Sequence, residues 1–399
     1  MHHALGVASA ERGDLANQGA PRGVAVAGCP AAREGDFLTS FRVTHDILLT
    51  VAFASASLVA GAARSDGPVV GWGDDSVGQT TLPAAVTGAA GTARAIAAGG
   101  SHSCAIQAST RNVVCWGFNL DGQATPPAAV DGTGGTATAI TAGGRHSCAI
   151  HAGTGNVVCW GDNSGGQATP PAAVNGTSGT AIAIAAGVYH SCAIQAGTGN
   201  VVCWGDSSGG QATPPAAVNG TSGTAIAIAA DGSHSCAIQA STGNVVCWGS
   251  NSFGQATPPP AVNGAAGTAT AITAGWDHSC AIQTDTGNVV CWGDSSGYGQ
   301  ATPPSSVNGT TGTATAIAAG GLHSCAIQAS TGNVICWGAN FYGQATPPAA
   351  VNGTDGTATG ISAGGFHTLA IAAPEPTAAL ASAAGLGALL AIARRRRRG

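Results

Sequence analysis

The sequence predicts an all-β fold, a seven-bladed β-propeller closed by its N- and C-terminal strands, followed by a C-terminal transmembrane helix. Three observations carry this reading. Tryptophans fall at 72, 116, 160, 204, 248, 292 and 337, a period of 44 residues with one single-residue slip. A fixed period in the forties, made of strand-length pieces, marks a propeller or an array. Next, His-Ser-Cys-Ala-Ile recurs at His102, His146, His190, His234, His278 and His323, and in altered form at His367. Last, the repeat is cut out of phase. The chain enters at a Trp-Gly segment, Val69–Gly73, and leaves after the His segment 367–371.

Residues 1–37 show no periodicity and are expected to be unstructured. Behind Arg42 comes an apolar run, 47–63, ending in small residues with Ala60-Gly61-Ala62. A basic flank, an apolar centre and an A-x-A ending resemble a secretory signal peptide over 38–63, with an uncleaved membrane anchor as the alternative. Such a segment belongs at the start of a chain. Translation is therefore expected to begin near Leu38 or Val43, leaving 1–37 and Cys29 unmade.

The repeats occupy 66–373, and each unit reads as four short extended segments separated by Gly/Asn/Asp/Ser clusters. One unit has them at 136–142, 146–151, 156–161 and 166–171. The last is the weakest, because its prolines confine it to an edge or a loop. The second and third must form a hairpin. Pairing Cys104 with Cys115 sets His102 against Gly117 and Ile106 against Val113, leaving the turn 108–111. Opposed Cα atoms at a non-hydrogen-bonded position are ~4.5 Å apart, within the reach of a disulfide.

Twelve of the thirteen cysteines pair in this way, each with ten residues between: Cys104/Cys115, Cys148/Cys159, Cys192/Cys203, Cys236/Cys247, Cys280/Cys291 and Cys325/Cys336. The competing use of these residues, zinc held by His and Cys on one face, lacks the usual ligand spacings and a fourth ligand. The expectation is thus disulfides in an oxidising compartment, with no metal and no cofactor. The two half-units at the chain ends carry Gly71 and Leu369 where the others carry cysteine. A composite seventh blade explains this, since a lone cysteine there would have no partner.

Charged residues make up only 8% of the chain, and lysine is absent. Over 66–373, twelve aspartates and three arginines, with no glutamate, leave a charge of −9. That excludes nucleic-acid binding through phosphate neutralisation. A catalytic site needs unlike residues converging at one place, whereas the seven histidines are equivalent by repeat. The chain is therefore read as a non-enzyme.

The informative positions are those where the copies disagree, immediately before each His and immediately after each Trp-Gly. In the hairpin register both sets fall on one face of the ring, with the uniform hairpin turns on the other. This variable face carries the expected binding residues Arg145, Tyr189, Trp276, Asp277, Tyr298, Phe341, Tyr342 and Phe366, of the types that binding hot spots favour.

The motifs A-G-x-x-H, W-G and x-N-x-x-G-Q, seen as Ala142-Gly-Gly-Arg-His146, Trp160-Gly161 and Asn163-Ser-Gly-Gly-Gln167, resemble the repeat of the regulator of chromosome condensation family. The resemblance covers 66–373 and implies a seven-bladed propeller. It does not carry over the nuclear nucleotide-exchange activity of the family's namesake, which an acidic, disulfide-rich chain does not suit. Bacterial members that act outside the cell, one as an inhibitor of β-lactamases, imply partner binding by loops.

After the repeats, Pro374-Glu375-Pro376 opens a new composition, followed by the apolar run 377–393 and five arginines, 394–398. At 1.5 Å per residue the run spans ~25 Å, near the lower limit for a membrane helix. Its arginines would stay cytoplasmic. The three-part pattern over 374–399 resembles the PEP-CTERM sorting signal. That resemblance implies an exosortase-type processing enzyme acting at Pro374, Glu375 and Pro376 in a Gram-negative-type bacterium, after transient anchoring in the inner membrane.

The functional expectation is a secreted or surface-sorted module that binds a protein or polysaccharide, or serves structurally in an exopolysaccharide matrix. The alternative is an extracellular enzyme or enzyme inhibitor with its site on the variable face.

Overall fold

Each repeat folds as three antiparallel strands, because three of its segments combine buried apolar positions with unbroken backbone donors. In the first blade these are an inner strand Ala93–Ala98, a middle strand His102–Gln107 and an outer strand Val113–Gly117. The structure, a computed structural model, describes residues 66–374, all within the second of the chain's two units, Leu48–Gly399. The expected signal peptide, the segment 1–37, the helix 377–393, and Glu375 with Pro376 lie outside the described residues. Among the described residues there are strands and turns but no helix, so none long and apolar enough to cross a membrane.

The described residues form seven such sheets. Six come from consecutive strands, and the seventh joins the two ends of the repeat region. There Val69–Gly73 pairs with His367–Ala372, which pairs in turn with the inner strand Ala358–Ala363. Neighbouring inner strands touch in cyclic order, and Ala358–Ala363 packs against Ala93–Ala98. The ring thus closes by packing between separate sheets and by a few crossing bonds. Gly365 N donates to Gly99 O at 3.0 Å, and Ala98 N to Ser362 Oγ at 3.0 Å.

The expected fourth strand is corrected. Segment 166–171 runs as turns. Its prolines offer no amide donor, and the unit makes one edge bond beyond it, from Val157 N to Val174 O at 2.9 Å. Its glutamine is instead buried: Gln167 Nε2 donates to Asp162 Oδ2 at 2.9 Å, and Oε1 accepts from Gly165 N at 2.8 Å. The segment is a clamp for its own loop, and its carbonyl is free for another use, described below.

The hairpin register is as read. His102 faces Gly117, Cys104 faces Cys115 and Ile106 faces Val113. The other five blades repeat the cysteine pairing, with Cys148 against Cys159, Cys192 against Cys203, Cys236 against Cys247, Cys280 against Cys291 and Cys325 against Cys336. All six pairs are disulfides, formed across Cα separations of 4.0–4.1 Å.

The two cysteines of a pair differ in burial. Cys104, Cys148, Cys192, Cys236, Cys280 and Cys325 lie on middle strands and are fully buried. Their partners Cys115, Cys159, Cys203, Cys247, Cys291 and Cys336 lie on outer strands and are only partly buried, packed against the margin of the core. The reason is position in the blade. A middle strand is flanked by a strand on each side, whereas an outer strand has a strand on one side alone. Each disulfide therefore runs from the core to the rim of its blade.

In the composite blade Gly71 faces Leu369. A Cβ placed on Gly71 would lie 3.3 Å from Leu369 Cδ2, so the fully buried leucine occupies the room that sulfurs fill elsewhere.

The core lies between blades. One such cluster gathers Cys104, Ile106, Val113 and Val130 of the first blade with Ile140, Ala149 and Trp160 of the next. A buried isoleucine contributes about 1.5–3 kcal/mol relative to exposure, and each interface repeats the set.

A polar relay also crosses every interface. His102 Nε2 lies 2.8 Å from Ser147 Oγ of the next blade, and that hydroxyl donates to Gln123 O at 3.0 Å. Trp160 Nε1 donates to the same carbonyl at 2.8 Å. The pattern recurs at all seven interfaces, with Thr368 replacing serine at one and Ser103 receiving His367 where the ring closes. Since the hydroxyl proton goes to the carbonyl, Nε2 carries the ring proton; Nδ1 is buried without a hydrogen-bond partner, and that burial keeps the imidazole neutral. Burial, assisted at four of the seven by neighbouring histidines, pushes the rings down to about 3 at His102, His146, His234 and His323. At His190, His278 and His367 burial pushes them down to about 4.

The hairpin turns offer a first test. Arg111 sits at φ 63°, where five other hairpin turns place glycine. A left-handed non-glycine residue costs about 1–2 kcal/mol, so Arg111→Gly should raise thermal stability, by about 0.5–1 kcal/mol after the entropy of the added glycine. An unchanged or lowered melting temperature would contradict this.

Acid tests the relay. An unfolded histidine takes up a proton near pH 6.5 and these folded ones do not until about 3–4. Their stabilisation is complete above 6.5 and is lost as pH falls towards 4. Asp231, pushed up to about 7, and Asp277, also raised, work in the opposite sense, but they are two groups against seven. Stability thus falls steeply as pH drops through 5. Tryptophan fluorescence and circular dichroism should therefore show a melting temperature that collapses between pH 6.5 and 4. A flat profile over that range would refute the neutral relay.

Candidate functional site

The two variable sets meet at one end of every blade, joined by a backbone bond. Asp162 N donates to Arg145 O at 2.9 Å, Asp294 N to Asp277 O at 2.8 Å and Asp74 N to Phe366 O at 2.9 Å, and the other four blades repeat the bond. In four blades the loop after Trp-Gly is then stiffened by its own aspartate, Asp74, Asp162, Asp206 or Asp294. Asp206 accepts from Ser208 N and Oγ and from Gln211 Nε2 at 3.1, 2.9 and 2.8 Å. The serine bonds, more than the partial burial that opposes them, hold that carboxyl below the ordinary carboxylate range. These aspartates are thereby committed to loop structure, just as the seven histidines are committed to the interfaces.

What the loops present is uneven around the ring. Three consecutive blades, the fifth to the seventh, carry an aromatic strip. Trp276 meets Phe366 edge-on at 5.3 Å between centroids, and Phe366 meets Tyr342 at 5.6 Å. Beside them Tyr298 meets Phe341 edge-on at 5.2 Å. Trp276 and Phe366 are half-buried, which fixes the base of the strip. Phe341 and Tyr342 keep 62% and 56% of their surface in solvent, too much for rings retained by packing alone. Such ring pairs are worth ~0.5–1.5 kcal/mol beyond burial, enough to hold the rings in fixed relation before a ligand arrives.

Asp277 stands at the edge of this strip. Gln255 Nε2 donates to its Oδ1 at 3.2 Å, and burial, then the charge of Asp294, raises its carboxyl above the ordinary range. Five of the eight expected residues thus form the strip and Asp277 borders it. Arg145 belongs to another group, with its guanidinium 5.6 Å over the Phe118 ring and 3.7 Å from Asp121. Tyr189 is exposed and stands apart from both groups.

Leu120 and Asp231 also stand on or near this face and, like Phe118 and Asp121, were not among the eight expected residues. Leu120, 84% exposed, extends the Arg145–Phe118 group. Asp231 lines the cavity at the hub of the ring. Its signal lay in the sequence: Ala-Gly precedes the variable residues in six copies, and Ala-Asp does so in the fourth.

Comparison with known proteins places this geometry. The regulator of chromosome condensation (RCC1) repeat matches residues 93–123, 137–167, 181–211, 225–255, 269–300 and 314–344. No curated protein sequence matches the chain. Among solved structures, yeast RCC1 (Prp20) bound to Kap60 superposes with a TM-score of 0.59 at 17% identity, over 87% of this chain and 97% of that one. Human WBSCR16 gives 0.57 at 17% identity, over 77% and 99%. The CRINKLY WD40 ectodomain of the Arabidopsis thaliana receptor kinase ACR4 gives 0.54 at 22% identity, over 70% and 91%. Likeness at this level of identity speaks to fold alone. With six matched repeats and this architecture, the chain is a β-propeller built of RCC1-type repeats.

Proposed function

We propose that this propeller is an exported, non-enzymatic binding module that engages a protein or polysaccharide partner through its variable face. The observation that carries the proposal is the strip of Trp276, Phe366, Tyr342, Tyr298 and Phe341, continuous over three blades and partly held open to solvent. Large rings with few rotatable bonds supply contact area at low entropic cost, which is why binding hot spots favour them. The solved propellers lend general support, since yeast Prp20 is described in complex with Kap60 and by its binding to Gsp1p and histones. Six disulfides suit an oxidising environment outside the cytoplasm.

The proposed setting is the cell surface or exopolysaccharide matrix of a Gram-negative-type bacterium. It is reached by way of the signal peptide and an exosortase-type cut at Pro374-Glu375-Pro376. Mass mapping of the mature protein should find it starting after residue 63 and lacking the arginines 394–398. Recovery of either terminal segment in the mature form would overturn that route.

A glycan array and a library of secreted proteins, probed with the full chain, should return a ligand. Trp276→Ala and Tyr342→Ala should then each weaken binding by about tenfold or more, the usual weight of a central aromatic contact. Arg145→Glu distinguishes a footprint confined to the strip from one that spans the whole face. Affinity unchanged by both aromatic truncations would end the proposal.

A further inference from the structure

The inner strands are lined with alanine, glycine and hydroxyl side chains, and the small residues leave a cavity of about 70 Å³ at the hub of the ring. At ~10–15 Å³ per water by this measure, the cavity holds several waters or one small polar group. One of the lining residues is ionisable, Asp231.

Its position sets it apart. Gly99, Gly143, Gly187, Gly275, Gly320 and Gly364 occupy the same place in the other six copies. Glycine there answers a close approach: a Cβ on Gly99 would sit 2.6 Å from Gly143 O and 2.6 Å from His102 Cε1. Asp231 therefore displaces its surroundings. The inner strand lengthens to Ala225–Asp231, and Val188 N bonds to Gly232 O at 3.3 Å, one residue later than the pattern requires. Gly232 N turns to Asp231 Oδ1 at 2.7 Å, where Gly100, Gly321 and Gly365 bond to the glycine carbonyl of the next blade. One repeat thus gives up a crossing bond to hold a carboxylate at the cavity wall.

That carboxylate has no cation. Among the described residues the ion pair found is Arg145–Asp121, and Asp231 has the single bond from Gly232. It is half-buried, with part of its surface lining the cavity. Burial, then the charge of Asp277, pushes its carboxyl up to about 7, a measure of how unfavourable the unpaired charge is. No group of three His, Cys, Asp or Glu side chains comes together among the described residues, so a metal would find a single carboxylate at this cavity.

The same cavity has an aromatic wall. Trp276 lines it and reaches from the fifth blade over the backbone of the next two: Cβ atoms on Gly321 and Gly365 would lie 3.0 Å and 3.5 Å from its ring. A carboxylate and an indole lining one cavity are the combination that receives a guanidinium or an ammonium, one supplying the counter-charge and the other the π face.

We propose that the hub cavity is a receptor for one basic side chain, an arginine or lysine of a protein partner, with Asp231 as its counter-ion and Trp276 as its aromatic wall. This rests on the reading that the variable face docks a partner, and it selects a protein as that partner. The surrounding charge agrees, since the propeller carries −9 and offers three arginines of its own over 66–373.

Calorimetric titration of the full chain with acetyl-Gly-Arg-Gly-amide tests this, with the citrulline peptide as its uncharged counterpart. One arginine peptide should bind per chain, and the citrulline peptide should bind about tenfold more weakly or worse. Asp231→Gly recreates the Ala-Gly-Gly-Ser-His of residues 98–102 and so keeps a sequence this fold already uses. It should lower affinity for the arginine peptide by about tenfold or more, and Trp276→Gly should also weaken it. The proposal is overturned by absent saturable binding of the arginine peptide or by unchanged affinity in Asp231→Gly. A partner from the secreted library that binds Asp231→Gly normally but fails on Tyr342→Ala would leave the aromatic face standing and remove the hub receptor.

Discussion

Everything in this ring depends on a neutral imidazole hydrogen-bonded to a hydroxyl across each blade interface. A propeller's sheets are separate, so no ladder joins one blade to the next, and apolar packing alone is indifferent to small rotations between them. The relay from His Nε2 to Ser or Thr Oγ to a glutamine carbonyl removes that freedom. The indole N–H arriving at the same carbonyl ties the outer strand into the arrangement. Buried polar groups bonded in this way set geometry more than they add net stability, the more so because each Nδ1 is left without a partner. They do so here once per interface.

The same relay explains why the variable face can vary. With histidine, serine or threonine, tryptophan and glutamine holding each interface, the side chains just before each histidine are largely released from the framework. Those neighbours are free to be Arg145 in one blade, Trp276 in another and Phe366 in a third. Their backbones stay fixed by the bond between the two sets, so side-chain identity changes while position does not. The result is a rigid platform with interchangeable contacts, an arrangement suited to recognition and poorly suited to a catalytic constellation drawn from one repeat.

Much of this was legible in the sequence because it is periodic. The strand register followed from cysteine spacing, and the composite blade followed from Gly71 and Leu369 standing where cysteines were missing. Spacing paired Cys148 with Cys159 but could not say that the second would sit nearer the rim, which depends on what flanks each strand. The fourth strand was misjudged because Gln167 and its equivalents have strand-like neighbours yet spend their side chains on their own loop. The face was legible, but its division was not. That Arg145 would pair with Phe118 and Asp121 while Trp276 met Phe366 depends on how far each side chain reaches between blades, which spacing along the chain does not encode. Asp231 escaped notice for the opposite reason. It breaks the repeat by one letter at a position that looks like a turn, and its significance appears only when the glycines around it are seen to crowd one another.

The out-of-phase closure has a consequence for how the molecule is made. Each of the six disulfides joins residues 11 apart on one hairpin, so oxidation can proceed correctly as each hairpin appears, without help from the rest of the chain. The seventh blade is the reverse: Val69–Gly73 must wait for His367–Ala372, about the longest-range contact the propeller contains. Local contacts form early and distant ones late. A chain delivered end first, whether from a ribosome or through a pore, therefore matures as a row of covalently locked hairpins that stays open until its last strand arrives. The one blade without a disulfide is the one whose timing no local oxidation could set.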